Sequence, residues 1–532
     1  MNGYQLLPDN DPQDSDAFEP REASKLPEWM RDFQNEISFS FCLLLGAMVW
    51  FVEIPELSHT AIHLLSVFIV VMTALMATSY PIAMVVGLAL CYLAFTQNLQ
   101  CPTRTGGFVE CNRCGMPDIG SKPGSVFECH GLQDGLKVAF SGFGNPTAWL
   151  ITSAFHIGSA VETTCLGKRI ALVLMSLSGN SPIGLSYALL FSELVLAPFI
   201  PSNTARGGGI ILPIVRSIIV LLESTPTSSP AAGRMLIFTG AHANLLISSL
   251  FLTGAAPNPI VASAVKRVLG IELGFFSWAW GAFLPCAVCI AALPWLFYAL
   301  ERPCGTTSDI LHQSQLQLKA LGPMSFKEIR LCFILVGALA LWITAPSTGI
   351  PEALVAFMAL ISCLYLRVIA WKDVMNDGKA WDTLFWLGGM LVLAEQLTAL
   401  GASKWIGNLC ATAIASMGLS ATVSAILLSA AYFGSSLFFS SITGHTVALA
   451  GPFLEAGKKL GCPKMALSFL ISFFSSLGAC MTHFSTGSVA MYFAQGFVSQ
   501  RYWMCVGMLV ACLYLSVYFT IGLGWFKLIG QF

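Results

Sequence analysis

The sequence predicts an all-α polytopic membrane protein, an inverted repeat of about 11 transmembrane helices with two re-entrant hairpins. Composition supports this class, because hydrophobic residues make up 55% and charged residues only 10% of the 532 residues, with a mean hydropathy of +0.73. Soluble domains carry about 25% charged residues, which excludes a water-soluble globule. The net charge of −1 provides no basic face for a nucleic acid. Apolar run lengths and an internal repeat are the other two observations.

Residues 1–36 are predicted to form an acidic, disordered cytosolic tail. They contain nine acidic and three basic residues with several prolines between them. Such a segment cannot bury enough apolar surface to fold alone. It is also too acidic for a plastid or mitochondrial transit peptide, which is typically rich in arginine.

Apolar runs that can cross a bilayer follow the tail. A helix needs about 20 residues to span the hydrocarbon core. The runs lie at 37–54, 59–78, 82–98, 146–163, 235–265, 275–300, 329–346, 351–370, 383–400, 464–495 and 502–525. Two further segments, 183–222 and 421–455, are apolar on both sides of a polar centre. This pattern is typical of a re-entrant hairpin whose tip lines a cavity at membrane depth.

Basic residues predict the orientation of these spans. Lys168, Arg169, the 301–330 loop and Arg501 all lie on the side of the tail, which the positive-inside rule makes cytosolic. Lysines 458, 459 and 464 fall on the opposite side and argue against this orientation.

The loop at 99–140 then faces outside the cytosol. It holds Cys101, Cys111, Cys114 and Cys129. Four cysteines in such a loop indicate two disulfides, for which three pairings are possible. The alternative is that Cys111 and Cys114 form half of a zinc knuckle.

A repeat relates the polar centres of the two hairpins. The segment PSNTAR at 201–206 matches SSITGH at 440–445. The matched residues are separated by 239 positions: Ser202 and Ser441, Thr204 and Thr443, Arg206 and His445. An odd number of predicted spans separates the hairpins, so they enter from opposite faces. Inverted repeats with broken helices are typical of secondary transporters.

The hairpin tips carry groups that can bind an anion. The hydroxyls of Ser202, Thr204, Ser441 and Thr443, the Asn203 amide and the N-terminal amides of helices can all donate hydrogen bonds. Two such tips suit a ligand with two separated carboxylates. The alternative is that the hydroxyls bond back to helix carbonyls.

A cation follows each tip. Arginine keeps its proton, and at membrane depth it needs a counter-charge. We expect Arg206 and His445 to compensate the charge of a dianionic ligand, with the histidine able to be neutral. The alternative for Arg206 is an internal ion pair with Glu162, Glu193 or Glu395.

Two interruptions of apolar runs complete the predicted site. Residues 254–259 contain Pro257 and Asn258, and residues 485–487 contain Thr486. Proline and asparagine within a span favour an unwound helix that faces the cavity, so these three residues are predicted to contact the substrate. A simple kink is the alternative.

Four motifs together resemble those of the divalent anion–sodium symporter family, closest to its 2-oxoglutarate/malate translocators. They are SGFGNP at 141–146 with Trp149, PSNTARGGGIILPI at 201–214, FLTGAAPNP at 251–259 and THFSTGSVAMYF at 482–493. The resemblance implies a homodimer, with a scaffold and an elevator-type transport domain in each subunit. It also implies that the tips 202–204 and 441–443 bind a dicarboxylate.

The resemblance also implies sodium sites, from which this sequence departs. Sodium-coupled members carry Ser-Asn-Thr in both tips, with Ser202, Asn203 and Gly254 at the first site and Ser485 at the second. Here Ile442 replaces the second asparagine. Arg206 and His445 can replace bound sodium as fixed charges. We therefore expect obligatory, sodium-independent exchange of dicarboxylates and no cofactor; the alternative is a sodium-coupled di- or tricarboxylate symporter.

The predicted domains follow the chain. After the tail and the first scaffold helices at 37–98 come the outer loop at 99–140, the first transport half at 141–300, a cytosolic linker at 301–328, the second scaffold helices at 329–382 and the second transport half at 383–532. An enzyme is not expected, because Walker, GxSxG and HExxH motifs are absent from the sequence. The tail and cysteine loop favour the cell surface or an endomembrane, and the resemblance favours a plastid envelope.

Overall fold

A computed structural model describes residues 28–530, with gaps at residue 105 and at 118–125, 178–180 and 304–307. The prediction of a disordered tail therefore lies outside the described residues for 1–27. Helix α1 spans Glu28–Trp50, so the tail was predicted to extend too far and the helix to begin too late. Asn35 exchanges hydrogen bonds with Ser79 at 2.6 and 3.2 Å. This contact fixes the first turns of α1 against the end of the next helix.

Three helices open the fold: α1, α2 (His59–Ala77) and α3 (Ile82–Phe95). Ser58 caps α2 by accepting a hydrogen bond from the Ala61 amide at 3.2 Å, which satisfies one free N–H of the first turn. Their buried side chains, including Leu64 and Leu93, join a core that also contains Leu387 and Leu391 from the second half.

The cysteine-rich loop is a folded cap. Strands β1 (Gln100–Pro102) and β2 (Phe108–Glu110) pair antiparallel, and helix α4 (Gly131–Phe140) follows. Of the three possible pairings, the structure contains disulfides Cys101–Cys111 and Cys114–Cys129.

Two hydrogen bonds attach this cap to the helices beneath it. Asn112 Nδ2 donates to Thr60 Oγ1 on α2 at 3.1 Å, and the Gln100 amide donates to Gln396 Oε1 at 2.6 Å. The cap is thereby tied to helices from both halves of the chain.

The next seven helices form the first predicted transport half. They are α5 (Pro146–Thr163), α6 (Leu166–Ser176), α7 (Pro182–Leu196), α8 (Leu212–Leu221), α9 (Pro230–Leu250), α10 (Pro257–Leu269) and α11 (Phe275–Glu301). The run predicted as one span at 235–265 is two helices with a break at 251–256, because Pro257 and Pro259 cannot supply amides to a continuous helix.

The remaining helices begin within the predicted linker, which contains α12 and the start of α13. They are α12 (Ser308–Ala320), α13 (Phe326–Thr348), α14 (Glu352–Tyr365), α15 (Trp371–Asn376), α16 (Gly378–Ala399), α17 (Ala402–Ala415), α18 (Ala421–Ser435), α19 (Ile442–Lys459), α20 (Lys464–Leu477), α21 (Gly487–Phe493), α22 (Gln500–Val517) and α23 (Leu523–Leu528). The run predicted as one span at 464–495 is also two helices, α20 and α21.

Helices α9 and α20 lie at the centre of the larger core. Every residue from Met235 to Leu250 is buried, as is every residue from Ala466 to Leu477. In the described part of the chain, seven helices are long and apolar enough to cross a membrane, or eight if the bent pair α16–α17 counts as one span. The prediction of about 11 full spans was too high, because several predicted spans are short or broken helices.

The two halves place their polar segments in matching order. Each half has a hairpin, α7–α8 or α18–α19, and then a long buried helix that breaks, α9–α10 or α20–α21. Each hairpin tip and each break therefore comes from the middle of a buried element. This order positions the candidate site.

Candidate functional site

The two hairpin tips have the same local geometry. Ser202 Oγ accepts a hydrogen bond from the Ala205 amide at 3.1 Å, and Ser441 Oγ accepts one from the Gly444 amide at 3.2 Å. Each serine carbonyl also accepts from the amide four residues later, at 2.9 Å in both tips. Each serine thus caps the helical segment that follows, and its O–H remains able to donate.

The first tip is followed by an unusual helical segment. Residues Thr204–Ile211 form a π-helix before α8 begins. Such segments are rare and are frequently found at functional sites. Tyr492 Oη on α21 donates to the Gly207 carbonyl at 3.3 Å, which ties this segment to the second half.

Both tips meet one segment, residues 485–488. From the first tip, Asn203 Nδ2 donates to Thr486 Oγ1 at 2.8 Å and to Ser488 Oγ at 3.3 Å. From the second tip, the Ile442 amide donates to the Ser485 carbonyl at 3.1 Å. The predicted site residues of both halves are therefore brought to one place.

The hydroxyl groups of the two tips remain partly accessible. Ser202, Thr204, Ser441 and Thr443 are half-buried. Thr204 packs closely on Gly487, since a β-carbon built on that glycine would lie 3.0 Å from the threonine side chain. Each tip thus offers hydroxyls and the N-terminal amides of a helical segment, groups that can bind an anion.

Asn258 holds the first helix break together. Its Nδ2 donates to the carbonyls of Ser248 at 2.7 Å and Phe251 at 2.9 Å, and its Oδ1 accepts from Ser476 Oγ at 3.0 Å. The side chain is fully buried. Both amide hydrogens are used on the broken end of α9, so this residue, predicted to contact substrate, stabilises the break instead. Pro257 occupies the first turn of α10, where a missing amide costs little.

Arg206 forms an internal ion pair with Glu193. Its Nε lies 2.5 Å from Glu193 Oε2, and both side chains have no exposed surface. Nη2 donates to Ser248 Oγ at 2.7 Å. Glu193 therefore balances the charge of Arg206 in the place where a dianionic ligand was expected to do so. This is the internal ion pair that the sequence left open as the alternative.

The Arg206 guanidinium also binds two backbone carbonyls. Nη1 donates to the Ile200 carbonyl at 2.7 Å and to the Gly254 carbonyl at 3.0 Å. Gly254 is the residue that the family resemblance places in the first sodium site with Ser202 and Asn203. In this structure the Gly254 carbonyl accepts a hydrogen bond from the positively charged guanidinium of Arg206.

Asn244 connects the ion pair with the first tip. Its Nδ2 donates to Glu193 at 3.1 and 3.2 Å and to the Asn203 carbonyl at 3.0 Å, and its Oδ1 accepts from Ser488 Oγ at 2.8 Å. Sequence reasoning missed Asn244 and Ser248. The available signal was the set of polar residues inside the apolar run at 235–250, to which both belong.

His445 has different surroundings from Arg206. Its ring is fully buried, with Nε2 2.8 Å from Ser435 Oγ and aromatic neighbours Tyr432 and Phe439 at 4.5 and 5.1 Å between ring centroids. A hydroxyl and two aromatic rings suit a neutral imidazole. Arg206 and His445, which the repeat pairs, therefore have different surroundings. Of these two residues, Arg206 contacts a carboxylate of the described chain, and His445 contacts a hydroxyl and two aromatic rings.

The two other glutamates proposed as partners of Arg206 lie elsewhere. Glu395 on α16 pairs with Arg267 on α10 at 3.3 Å and accepts from Asn145 Nδ2 at the same distance. Glu162 lines a crevice of about 330 Å³ beside the first tip, together with Ser202. A separate crevice of about 470 Å³ lies between α5, α10 and α14 and contains neither tip.

The buried polar tips, the broken helices and the apolar exterior define a multi-pass membrane transporter. The family model described as "Sodium:sulfate symporter transmembrane region" matches residues 34–532. The chain belongs to this family, which confirms the resemblance drawn from its motifs, and transporters of this kind are not enzymes.

Three relatives with assigned names are similar over most of the chain. YflS of Bacillus subtilis, named as a candidate malate transporter, is 32% identical over 91% of this chain and 95% of its own length. The chloroplastic dicarboxylate transporter 1 of Spinacia oleracea is 30% identical over 92% and 80%. The L-tartrate/succinate antiporter of Escherichia coli K12 is 33% identical over 78% and 84%.

Two solved structures share the fold. MtrF of Neisseria gonorrhoeae aligns with a TM-score of 0.52 over 91% of this chain and 96% of its own, at 14% identity. The YdaH transporter of Alcanivorax borkumensis also gives 0.52, over 84% and 97%, at 14% identity. At this identity the likeness concerns the architecture alone.

Proposed function

We propose that this protein exchanges dicarboxylates of the 2-oxoglutarate/malate type across a membrane. The proposed mechanism is sodium-independent antiport, in which a transport domain carrying the two tips moves against a scaffold. The relatives named as dicarboxylate transporters and as an antiporter support the substrate class and the exchange. The two tips support a ligand with two separated negative groups, since each offers a serine that caps a helical segment, a threonine and the N-terminus of that segment.

The position of Arg206 is the observation that carries sodium independence. Its Nη1 binds the carbonyls of Ile200 and Gly254, where a sodium ion would need oxygen ligands. Arginine keeps its charge at all accessible pH values. The guanidinium already binds these two carbonyls and neutralises the Glu193 carboxylate. The first tip therefore offers sodium neither free carbonyls nor an unpaired negative charge.

The ion pair changes the physical reason for exchange. An unpaired cation in the empty site would hinder the return of that site across the membrane. Because Glu193 neutralises Arg206, this part of the empty site carries no net charge, and a bound dianion adds two negative charges. Moving one charge through 100 mV corresponds to about 2.3 kcal/mol. Exchange of one dianion for another cancels this charge movement.

Purified protein in liposomes tests the proposal. Uptake of labelled malate or 2-oxoglutarate should be fast into vesicles loaded with unlabelled diacid, slow into empty vesicles, and unchanged when potassium replaces sodium. Rapid uptake into empty vesicles would contradict exchange, and steep sodium dependence would favour the symporter alternative. A channel would show no stimulation by internal diacid.

The disulfide-linked cap bears on the compartment. Disulfides persist in oxidising compartments, so the pairs Cys101–Cys111 and Cys114–Cys129 support a cap that faces outside the cytosol, at the cell surface or in an endomembrane. The plastid envelope is the alternative. A homodimer, implied by the family resemblance, is proposed as the assembly and can be measured by light scattering of the purified protein.

A further inference from the structure

A polar crevice leads to the first hairpin tip from one side of the molecule. It is about 330 Å³ in volume and lies between the C-terminal part of α5, the α15–α16 junction and the tip. Ser202 lines its inner end. By the distribution of basic residues, this side is predicted to be cytosolic. A ligand that reaches Ser202 from this side therefore passes the side chains of α5 and of the α15–α16 junction.

The charges that line the crevice are mostly negative. Glu162, Asp373 and Asp377 contribute carboxylates, and Lys379 contributes the one ammonium group among its lining residues. Both aspartates have structural roles. Asp373 Oδ2 accepts from the Ala370 amide at 2.8 Å, and Asp377 caps α16 through the Ala380 amide at 3.3 Å. His156 Nδ1 also lies 3.2 Å from Asp377 Oδ2.

Lys379 occupies a position that is unfavourable for a cation. It is the second residue of α16, and the positive end of the helix dipole lies at this terminus. It is exposed, and helix stability does not explain a lysine here. An anion that enters the crevice would meet this ammonium group as the one positive charge among the lining residues.

We propose that Lys379 receives dicarboxylates that enter from this side and directs them past Glu162 to the Ser202 tip. The inference rests on the proposed function and assigns a positioning residue to it. Clefts with low-dielectric walls focus the field of their charges and can change association rates by factors of about 10–1,000. Lys379 offsets one of the three carboxylate charges that line the crevice, and this weakens the repulsion that an entering dianion meets. Without it, three carboxylates act on the dianion unopposed.

Sided kinetics test this role. Exchange of labelled malate is measured in right-side-out and inside-out vesicles for Lys379→Gln, with Lys372→Gln as the matched control. Lys372 is also exposed and near the start of the same region, but it does not line the crevice. We expect Lys379→Gln to raise the half-saturating malate concentration about tenfold from the crevice side only, and Lys372→Gln to leave it unchanged.

Three further measurements sharpen the result. Glu162→Gln should lower the half-saturating concentration from the crevice side, and Lys379→Arg should restore wild-type behaviour. The effect of Lys379→Gln should shrink at about 1 M salt, where the screening length falls to about 3 Å. Equal kinetics of Lys379→Gln and wild type from both sides, or an equal loss from both sides, would overturn the inference. A wild-type protein that moves no diacid would instead refute the proposed function.

Discussion

The buried ion pair gives the most quantitative prediction, which concerns Glu193→Gln. This substitution keeps the side-chain shape but leaves the Arg206 guanidinium without its counter-charge in a site with no exposed surface. Removal of one partner of a buried ion pair typically costs about 3–5 kcal/mol. We expect the cost of Glu193→Gln to lie near the upper end of this range, because both carboxylate oxygens of Glu193 also accept from Asn244 Nδ2.

The double variant Glu193→Gln/Arg206→Gln separates the charge effect from the loss of contacts. Without either charge, no unpaired ion remains, so the double variant should be less destabilised than the sum of the two single variants by more than about 1 kcal/mol. Stability is measured as unfolding in detergent with increasing denaturant. The exposed pair Lys266–Glu272, with side chains 63% and 77% exposed, provides the control, and Lys266→Gln should cost less than about 1 kcal/mol.

A different outcome would refute the reasoning. If Glu193→Gln cost no more than Lys266→Gln, the guanidinium would have another source of compensation. If the single costs were simply additive, the two residues would not act as a pair.

The remaining predictions concern the first helix break, the second tip and the contact between Gly142 and α16. Asn258→Ala should destabilise the protein by about 1–3 kcal/mol, because it removes the Asn258 donor from the Ser248 carbonyl. The Phe251 carbonyl keeps the Gly254 amide as a donor at 2.8 Å. In contrast, Thr443→Ala at the half-buried second tip should reduce substrate affinity with little loss of stability. Gly142→Ala should cost at least about 1–3 kcal/mol, because a β-carbon there would overlap the backbone of α16, and Gly337→Ala, which meets open space, is its control. Denaturant unfolding of each variant measures these costs.

Local features of the fold could be predicted from the sequence. Span positions follow from apolar runs, and the breaks near Pro257 and Thr486 follow from residues that interrupt a helix. The sequence match pairs Ser202 with Ser441, and in the structure the two residues make equivalent capping hydrogen bonds. These features depend on neighbouring residues, which a sequence shows directly.

Partner choices could not be predicted, because they depend on packing between distant segments. Three glutamates were equally plausible partners for Arg206, and the fold places Glu193 beside it and Glu395 beside Arg267. The role of Asn258 was mistaken for the same reason, since only the packed structure shows that its amide faces the broken end of α9. Composition also could not reveal that α1 begins at Glu28.

The ion pair has a consequence for how the protein enters the bilayer during synthesis. Glu193 and Arg206 lie 13 residues apart within a single hairpin, so the opposite charges leave the ribosome almost together. The two buried charges of the hairpin can therefore partition into lipid as a neutral pair before the second half of the chain has been translated. Later arrival of Asn244 and Ser248 on the following helix would then complete the hydrogen bonding of a pair that has already formed.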